Sequence, residues 1–380
     1  MMRALIIGGG IAGAATAIAL RKAGLDAAVY EAYPTGADDV GAFLTIMDNG
    51  MDALRAIDAD ELVRAGSYAA TGVELFNDSG SHLGHQDVDG RTLRRATLYR
   101  LLHDEVTARG GRLEHGKKLV GARPAPGGGV VASFADGSHA EGDLLIGADG
   151  LHSAIRSVID PGAPRPRYTG VHIVYGYSPC DGPARTEPGA YHMIFGKQAF
   201  FGYTTVPDGQ TWWFARLPGA ELTDTERTPD QWKQQAIECL ADDDTPAAEI
   251  VRTAGDDVVG GNGYDIPATP RWHRASMVLV GDAAHAASPA AGQGASMALE
   301  DSVVLAKCLR DLPEVESAFR AYERLRRERT ERLVAASARQ TDDATPSGRD
   351  RRRREPAAGP AEYRIDWDTP VRPAETLHGR

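Results

Sequence analysis

The first thirty positions of the chain alternate between apolar runs and glycine-containing turns. Residues 3–7 form a short apolar run, residues 11–23 are rich in alanine with larger apolar side chains at helical spacing, and residues 27–31 form a second apolar run. Gly24, which separates the last two segments, is a residue type at which helices commonly end. The pattern predicts strand, turn, helix and strand, a βαβ unit with parallel strands.

The same periodicities predict further elements along the chain. Residues 168–217 are rich in β-branched and aromatic residues and contain the turn sequence PDGQ, as expected of an antiparallel sheet with one unusually aromatic face. A buried-strand pattern returns at 276–284, so we expect an α/β domain that is interrupted by this sheet and then resumed. Helices are predicted at 97–108, 228–250, 295–309 and 319–333, and a hairpin around the turn at 135–138.

Composition and charge narrow the range of partners. The chain has 380 residues and a formal net charge of −11, which argues against nucleic acid or an anionic membrane as partner and favours a small molecule. Cys180, Cys239 and Cys308 are far apart and no residues have zinc-ligand spacing, so we expect reduced thiols and no metal site. The absence of a secretion signal and of a long apolar run leads us to expect a cytoplasmic protein.

A glycine-rich turn follows the first predicted strand. The sequence GGGIAG at 8–13 matches the GxGxxG fingerprint, in which Gly8 permits a tight turn, Gly10 lets the backbone approach a pyrophosphate, and Gly13 lets helix and strand pack closely. The N-terminus of the helix adds free N–H groups that favour an anion. Glu31 ends the second strand, where a carboxylate can accept hydrogen bonds from a ribose. The combination predicts a dinucleotide site.

Two further motifs follow predicted strands. DGLHSAIR at 149–156 places an Asp-Gly turn before a helix. On its own this is an ordinary connection between a strand and a helix. In GDAAHAASPAAGQG at 281–294, Asp282 stands at the carboxyl end of a strand, where ligands bind in such sheets. Pro289, Gly292 and Gly294 then lead into a helix whose N-terminus can stabilise negative charge.

These three motifs, in this order and at these distances, resemble those of the group A (class A) FAD-dependent aromatic hydroxylases, a family of flavoprotein monooxygenases. The resemblance covers residues 1–340 and implies that the two glycine-rich loops hold the two ends of one FAD. It assigns Asp282 to the ribityl or phosphate part and Arg95, in RATL, to FAD; Asp149 and Arg156 would serve both FAD and NAD(P)H. The implied cofactor-binding set is Gly8, Gly10, Ile11, Ala12, Gly13, Glu31, Arg95, Val120, Asp149, Arg156, Gly281, Asp282, Pro289, Gly292, Gly294 and Ala295.

The resemblance also implies a reaction. NADPH or NADH would reduce FAD, O2 would add to give a flavin C4a-hydroperoxide, and one oxygen atom would pass to an aromatic or polyketide-like substrate by hydroxylation or epoxidation. His285 is expected to pack near the flavin rather than to act as a general base. The alternative is an enzyme that uses FAD as a redox-silent scaffold for cyclisation or isomerisation. A flavin-dependent halogenase is disfavoured because no Trp-x-Trp-x-x-Pro sequence occurs, and a non-enzymatic FAD-binding protein stays open.

The aromatic sheet supplies the candidates for the substrate pocket, which are Tyr175, Tyr191, Gln198, Phe201 and Trp213. Alternate residues of a strand point to opposite faces, so about half of such residues can line a pocket. Several relatives have an arginine where Tyr175 and Gln198 stand, which favours a larger, neutral phenol as substrate. Arg216 would restore a cation if it faced inward, but an arginine at a strand end is usually on the surface.

The expected fold is therefore α/β: a Rossmann-like FAD-binding domain with a parallel sheet, interrupted by a mostly antiparallel substrate-domain sheet and followed by C-terminal helices. We expect the FAD-binding domain at 1–70, 95–165 and 270–310, the substrate-binding domain at 71–94 and 166–269, and a C-terminal helix and tail at 311–380. A monomer or a homodimer is expected. The arginine run in RDRRRRE, at 349–355, is interpreted as a solvated segment.

Overall fold

The computed structural model describes residues 2–35, 42–180, 185–223, 227–288, 290, 292–343 and 363–372. Its strands are β1 (Arg3–Ile7), β2 (Asp26–Tyr30), β3 (Phe43–Met47), β4 (Tyr68–Asn77), β5 (His82–Arg94), β6 (Arg112–Glu114), β7 (Leu119–Pro124), β8 (Val130–Phe134), β9 (His139–Gly142), β10 (Leu144–Gly147), β11 (Arg167–Pro179), β12 (Ala190–Phe195), β13 (Phe200–Thr205), β14 (Gln210–Pro218), β15 (Val259–Asp265), β16 (His273–Arg274) and β17 (Met277–Leu279). Its helices are α1 (Ile11–Lys22), α2 (Asp48–Ala56), α3 (Asp60–Ala65), α4 (Arg95–Ala108), α5 (Ala154–Ile159), α6 (Pro229–Leu240), α7 (Ala247–Arg252), α8 (Asp282–His285), α9 (Gly294–Asp311) and α10 (Val315–Asp343).

A parallel sheet forms around the N-terminal βαβ unit, as the sequence predicts. Its strand order is β16–β17–β10–β1–β2–β6, and only the short β16 runs antiparallel to its neighbour within the described residues. Almost every residue of β1, β2 and β10 is buried, the pattern of parallel strands that are covered on both faces. The carboxyl ends of β1, β10 and β17 meet at one edge of this sheet, and each is followed by one of the three motifs.

A large, mostly antiparallel sheet lies beside the parallel one. Its order is β15–β11–β14–β13–β12–β4–β5–β3, and β12 and β4 pair in parallel. β3 and the first residues of β4 fall in the range expected for the FAD-binding domain, yet they pair with β5 in this sheet. The apolar pattern of β3 alone is too short to tell which sheet it joins.

The two faces of the large sheet have different environments. Phe201 and Trp213 point to one face, where they pack with Trp232 of α6 in a core that α7 completes. The opposite face, named here the aromatic face, carries Tyr175, Tyr191, Trp212, Phe214 and Arg216, and Phe43 of β3 packs against it. The alternation along each strand therefore sorts the aromatic residues into a helix-covered core and a second surface.

The C-terminal part of the chain returns to the parallel-sheet domain. α10 packs along α9, and residues 363–372, named here the C-terminal strap, lie against α2 and α9. The Lys307 ammonium of α9 donates hydrogen bonds to the carbonyls of Asp366, Trp367 and Thr369. The arginine run at 349–355 lies outside the described residues. In the described part of the chain, no helix is both long and apolar enough to cross a membrane.

Candidate functional site

The N-terminal glycine loop is packed tightly on one side and open on the other. Gly8 has φ +101°, and a Cβ atom there would lie 2.4 Å from the Ala148 carbonyl oxygen; at Gly13 a Cβ would lie 1.9 Å from the carbonyl oxygen of Gly8. At Gly10, the N-cap of α1, the nearest atom to an added Cβ is the Tyr99 hydroxyl at 3.7 Å. The loop therefore brings the N–H groups at the start of α1 to an uncrowded surface, as a bound pyrophosphate requires.

Glu31 organises this loop. Its Oε2 accepts a hydrogen bond from the backbone N–H of Gly9 at 2.5 Å, and its Oε1 accepts one from Tyr33 N–H at 2.9 Å. A carboxylate has about four acceptor positions, so two bonds leave capacity for a ribose hydroxyl. The chain just before β7 reaches Glu31, since Lys117 N–H donates to the Glu31 carbonyl oxygen at 2.7 Å. Val120, on β7, has an exposed side chain.

One face of α4 lines the same loop. Arg95, Tyr99 and His103 recur at four-residue intervals, which places them on one side of the helix. Arg95 Nε donates to the Tyr99 hydroxyl at 2.8 Å, and His103 Nε2 lies 2.5 Å from the Gly9 carbonyl oxygen. Only Arg95 is in the predicted set; the four-residue spacing from Arg95 is the signal that would have pointed to the other two.

The second glycine loop meets the first. Gly281 follows the strand region of β17 with φ +58°, and a Cβ atom there would lie 2.9 Å from the Cβ of Ala12 and 3.3 Å from that of Ala298. The Ser302 hydroxyl of α9 also donates to the carbonyl oxygen of Ala12 at 3.0 Å. α1 and α9 are therefore in close contact near the N-terminus of α1.

Asp282 and Arg95 lie close enough to interact electrostatically, and the region between them is named here the cofactor cleft. Both side chains are accessible to water although protein surrounds them. Burial raises the pKa of Asp282, and the Arg95 guanidinium offsets part of this shift. Burial lowers the pKa of Arg95, but the Tyr99 hydroxyl and the Asp282 carboxylate outweigh it, so the net shift is upward. The two charged side chains, one on α4 and one on α8, are therefore near enough for a single ligand to contact both.

The loop before α9 has open space beside its glycine backbone. A Cβ atom at Gly292, which has φ +61°, or at Gly294 would meet no atom within 4 Å, and Ala295 is half-buried in the first turn of α9. The side chain of Gln293 is buried, and its Oε1 has no hydrogen-bond partner among the described residues. Pro289 lies outside the described residues. An unsatisfied buried oxygen beside an open glycine backbone fits a loop that is completed by a bound group.

His285 belongs to a buried charge network. Its Nε2 contacts Asp301 Oδ2, its ring packs 5.4 Å from Trp272, and Arg326 Nε donates to Asp301 Oδ1 at 2.7 Å. Asp301 also accepts the N–H of Gly281 at 3.0 Å. Burial alone would raise the pKa of Asp301, but the charges of His285 and Arg326 and their hydrogen bonds lower it to about 2. His285 is therefore buried and bonded to Asp301, its packing near the flavin stays a prediction, and Asp301 and Arg326 are members of the network that the sequence analysis does not name.

The residues of the second motif have structural partners. Asp149 accepts hydrogen bonds from the Ser153 hydroxyl at 2.5 Å and from Ala154 N–H at 2.7 Å, at the start of α5. Arg156 is buried and donates to the carbonyls of Ala283 at 3.0 Å and Leu151 at 2.6 Å. These bonds connect α5 to α8, and a contact of either residue with NAD(P)H stays a prediction.

The candidates for the substrate pocket are divided between different environments. Tyr175 is partly exposed on the aromatic face, whereas Tyr191, on the same face, is buried with its hydroxyl 2.9 Å from Thr45 Oγ1 and 2.7 Å from Thr92 Oγ1. Phe201 and Trp213 are fully buried on the helix-covered face. Gln198 is exposed in the turn between β12 and β13. Strand alternation predicts such a division but cannot assign the faces without the strand partners.

Arg216 does not lie on the surface, although its place near a strand end suggests that it would. Its side chain is 6% exposed on the aromatic face, its guanidinium lies 3.9 Å from the centre of the Phe200 ring, and Nη1 donates to the carbonyl of Gln340 at 3.4 Å. The reason is the register: Arg216 pairs with both Phe200 and Ile173 in the middle of the sheet, so α10 can cover it. The aromatic face therefore includes an inward-facing cation.

The geometry of the site suits a long, anionic ligand that is held at both of its ends. The N-terminus of α1 offers free N–H groups at one end, the open backbone before α9 lies at the other, and Arg95 and Asp282 lie at the cleft. Within the described ranges, no group of three His, Cys, Asp or Glu side chains is arranged to hold a metal ion.

Comparisons with known proteins agree with this geometry. A family model described as an FAD binding domain matches residues 1–337. The chain is 32% identical to the aurachin C monooxygenase/isomerase of Stigmatella aurantiaca, with 88% of each protein covered, and 28% identical to the FAD-dependent urate hydroxylase of Klebsiella oxytoca, with 90% of each covered. The solved structure of Klebsiella pneumoniae HpxO with FAD and uric acid superposes with a TM-score of 0.82 at 26% identity, over 92% of this chain and 90% of that one.

Proposed function

The chain belongs to the class A FAD-dependent monooxygenases, and from that premise we propose that it uses NAD(P)H and O2 to insert one oxygen atom into an aromatic or polyketide-like small molecule. The observation that carries the proposal is the position of the cofactor cleft. There Arg95 interacts electrostatically with both Asp282 and Tyr175, so the Arg95–Asp282 pair lies beside the aromatic face of the large sheet. A flat ring bound to that face would lie beside the cofactor.

FAD fits the residues that line the cleft. The start of α1 would hold the pyrophosphate, Glu31 the adenosine ribose, and Arg95 and Asp282 the middle of the molecule. The flavin would lie on the backbone of Gly292 and Gly294, where the structure leaves room. When bound, FAD supplies the redox chemistry and the activation of O2.

The protein contributes binding, orientation and exclusion of water. Phe43 and Phe214 pack around Tyr175 and give the cleft an apolar wall, which lowers the local dielectric and strengthens each hydrogen bond made there. The relatives named above include a urate hydroxylase and an aurachin C monooxygenase/isomerase, so ring-containing substrates are the class we propose for this chain.

The experiment is a screen of aromatic and polyketide-like phenols against the purified protein. We expect the protein to bind FAD without a covalent link, to oxidise NADPH or NADH faster when a substrate is present, and to incorporate one atom of labelled O2 into the product. Colourless protein that cannot be reconstituted with FAD would contradict the assignment of the cleft.

A second candidate function uses FAD as a redox-silent scaffold for isomerisation or cyclisation. One relative is named a monooxygenase/isomerase, which fits this alternative only in part because the name includes oxygenation. Product that forms in full yield without NAD(P)H and O2 would favour the scaffold function over the monooxygenase.

A further inference from the structure

We propose that Tyr363 and Arg326 are positioning residues for the cofactor, and that they act through Asp301. The Asp301 carboxylate binds the backbone at Gly281, and the next residue, Asp282, bounds the cofactor cleft. The inference rests on the proposed function in one respect, that this cleft binds FAD. It gives the C-terminal strap, which lies outside both glycine loops, a part in holding the cofactor.

The turn at Gly281 determines where α8 begins. Gly281 has φ +58°, and its carbonyl oxygen accepts the N–H groups of Ala284 at 2.8 Å and His285 at 3.0 Å. Its own N–H donates to Asp301 Oδ2 at 3.0 Å. A Cβ atom at Gly281 would lie 2.9 Å from the Cβ of Ala12, so the backbone of the turn approaches α1 closely. The bond to Asp301 therefore fixes the start of α8 against α1.

Arg326 fixes the orientation of the Asp301 carboxylate. Both side chains are fully buried, and Arg326 Nε donates to Asp301 Oδ1 at 2.7 Å. The other oxygen, Oδ2, contacts Gly281 N–H and His285 Nε2. A carboxylate can rotate about its Cβ–Cγ bond, and a bond to each oxygen removes that freedom. Because loss of one partner of a buried ion pair is strongly unfavourable, the guanidinium holds Oδ2 toward the turn.

Glu300 holds Arg326 from another side. Its Oε2 forms an ion pair with Arg326 Nη1, and Arg329 donates to both oxygens of Glu300, from Nε at 2.9 Å and from Nη2 at 2.8 Å. The Asn49 side chain of α2 donates to Glu300 Oε1 at 2.5 Å. Two carboxylates, of Glu300 and Asp301, and two guanidinium groups thus form a network that joins α2, α9 and α10. This network keeps Arg326 in one position.

Tyr363 covers the network from the C-terminal strap. The centre of its ring lies 5.2 Å from the guanidinium carbon of Arg326 and 4.5 Å from that of Arg329. An aromatic face attracts a guanidinium, and more strongly where water is excluded, as it is at the fully buried Arg326. The strap is thereby connected to the turn before α8 through Tyr363, Arg326 and Asp301.

Trp367 provides a matched control on the same strap. The centre of its ring lies 5.2 Å from Lys22 Nζ and 4.7 Å from the guanidinium carbon of Arg310. It is therefore also an aromatic ring beside cations, but these belong to α1 and to the end of α9 rather than to the network around Arg326. Loss of this ring should lower the stability of the fold without loosening the turn at Gly281.

The test measures how fast the FAD-loaded protein releases FAD, followed by the change in flavin fluorescence after dilution. We expect Tyr363→Leu to release FAD roughly threefold to tenfold faster than the unmodified protein and to alter the visible circular dichroism of the bound flavin. Trp367→Leu should lower the melting temperature to a similar extent but leave the release rate and the spectrum unchanged. Equal acceleration in the two variants, or none in Tyr363→Leu, would overturn the proposal.

Two substitutions of Arg326 test the route through this residue. Arg326→Lys keeps the charge but not the planar guanidinium, so its release rate should lie between those of the unmodified protein and Arg326→Met. Adding Tyr363→Leu to Arg326→Met should give no further acceleration, because the ring then has no guanidinium to hold. Independent, multiplying effects would overturn the route. If Arg326→Met does not fold, the comparison of Tyr363→Leu with Trp367→Leu decides the proposal by itself.

The release measurement needs no turnover, which separates this proposal from the proposed monooxygenase function. Faster release in Tyr363→Leu but not in Trp367→Leu, from a protein that consumes no NAD(P)H, would support the proposal and contradict only the monooxygenase function. Unmodified protein that binds no FAD would overturn both the assignment of the cleft and the positioning role of the strap.

Discussion

Glu31 has a structural role that is visible in its hydrogen bonds, and the proposed function gives it a second role toward the cofactor. Its carboxylate binds two backbone N–H groups, of Gly9 and Tyr33, and thereby fixes the loop that precedes α1. The same carboxylate keeps acceptor positions for a ribose. Under the proposed function, the loop and the FAD ribose would both be held by this one carboxylate.

Replacing Glu31 by Ala should weaken FAD binding, because charge-assisted hydrogen bonds, each worth about 1.5–3 kcal/mol, are lost at the loop and at the ribose. We expect roughly a tenfold to hundredfold higher dissociation constant, measured by titration of the apoprotein with FAD. Glu31→Gln keeps one acceptor oxygen, so its dissociation constant for FAD should lie between those of the unmodified protein and Glu31→Ala. Unchanged FAD affinity in Glu31→Ala would show that the ribose assignment is wrong.

Asp301 links stability to pH. Its pKa in the folded protein is about 2, below its ordinary value, so the carboxylate stabilises the fold above pH 4 and this stabilisation is lost as the pH falls through about 2. Asp301→Asn leaves His285 and Arg326 buried without this partner, which should cost about 3 kcal/mol at neutral pH. Urea unfolding between pH 7 and pH 3 measures the difference in the free energy of unfolding between the unmodified protein and Asp301→Asn. This difference should become smaller as the pH falls. The exposed Asp87→Asn serves as control; a difference independent of pH would contradict the assigned shift.

At the residue scale, sequence patterns identify backbone roles better than side-chain partners. Gly8 and Gly13 are recognisable because a tight turn and a close helix–strand contact need glycine at fixed spacing. The bond of His103 to Gly9 and the position of Arg216 depend on which elements pack together, and the sequence around each residue does not contain that information.

The contact between α1 and α9 connects the two glycine motifs. Thr16 of α1 lies 3.0 Å from Ser302 of α9 through their hydroxyl oxygens, and the Ser302 hydroxyl also binds the carbonyl of Ala12. Small side chains along α1 let the helices approach. The two loops keep a fixed separation because these helices are packed together.

Gly13→Ala has two opposite effects, a gain in helix propensity and a steric clash in the packed loop. Alanine stabilises an isolated helix by about 1 kcal/mol relative to glycine, but here its Cβ would lie 1.9 Å from the Gly8 carbonyl oxygen. We expect loss of FAD binding together with a lower melting temperature, measured by FAD titration and circular dichroism. Gly121→Ala, where nothing lies within 4 Å, is the matched control. A Gly13→Ala protein with normal FAD affinity would contradict the close-packed loop.

The C-terminal strap is held by the parallel-sheet domain through several polar contacts. Lys307 binds the carbonyls of Trp367 and Thr369 at 3.0 and 2.7 Å, and Asp52 accepts the N–H of Ile365 at 2.8 Å. The ring of Tyr363 lies over Arg329 at 4.5 Å. The strap therefore covers the outer side of α9 and α10.

Removing residues 363–380 should lower the melting temperature by about 5 °C or more, because these hydrogen bonds and the burial of Ile365 are lost. Thermal unfolding of the FAD-loaded protein measures the effect. A chain that lacks only 373–380 keeps the strap and is the control. Equal melting temperatures for the two shortened chains would show that the strap contributes nothing to stability.

At the scale of elements, the sequence predicts the parallel sheet, the helices α6, α9 and α10 and the hairpin of β13 and β14, since their periodicities are long and regular. β3 and β5 are missed because their pairing joins distant segments of chain. The strap is missed as well, since residues 363–372 have no periodic pattern and are ordered only by contacts with α2 and α9.

Across the whole molecule, the proposed cofactor site would draw on both sheets. The parallel sheet supplies both glycine loops, and the large sheet supplies the aromatic face with Tyr175. The sequence has one GxGxxG fingerprint, at 8–13, and no second one to form a separate domain for NAD(P)H. Under the proposed function, the nicotinamide would therefore reach the flavin without a GxGxxG domain of its own.

The proposed function leads to a prediction about the order of events. A substrate on the aromatic face would exclude water from the cleft, and its binding would thereby control when the flavin is reduced. We expect anaerobic mixing of the FAD-loaded protein with NADPH to bleach the flavin absorbance faster when a bound aromatic substrate is present. Tyr175→Phe should reduce this acceleration at a given substrate concentration, because less substrate is bound, and saturating substrate should restore it. Flavin reduction at the same rate with and without substrate would show that binding does not gate the reaction, even if the protein hydroxylates.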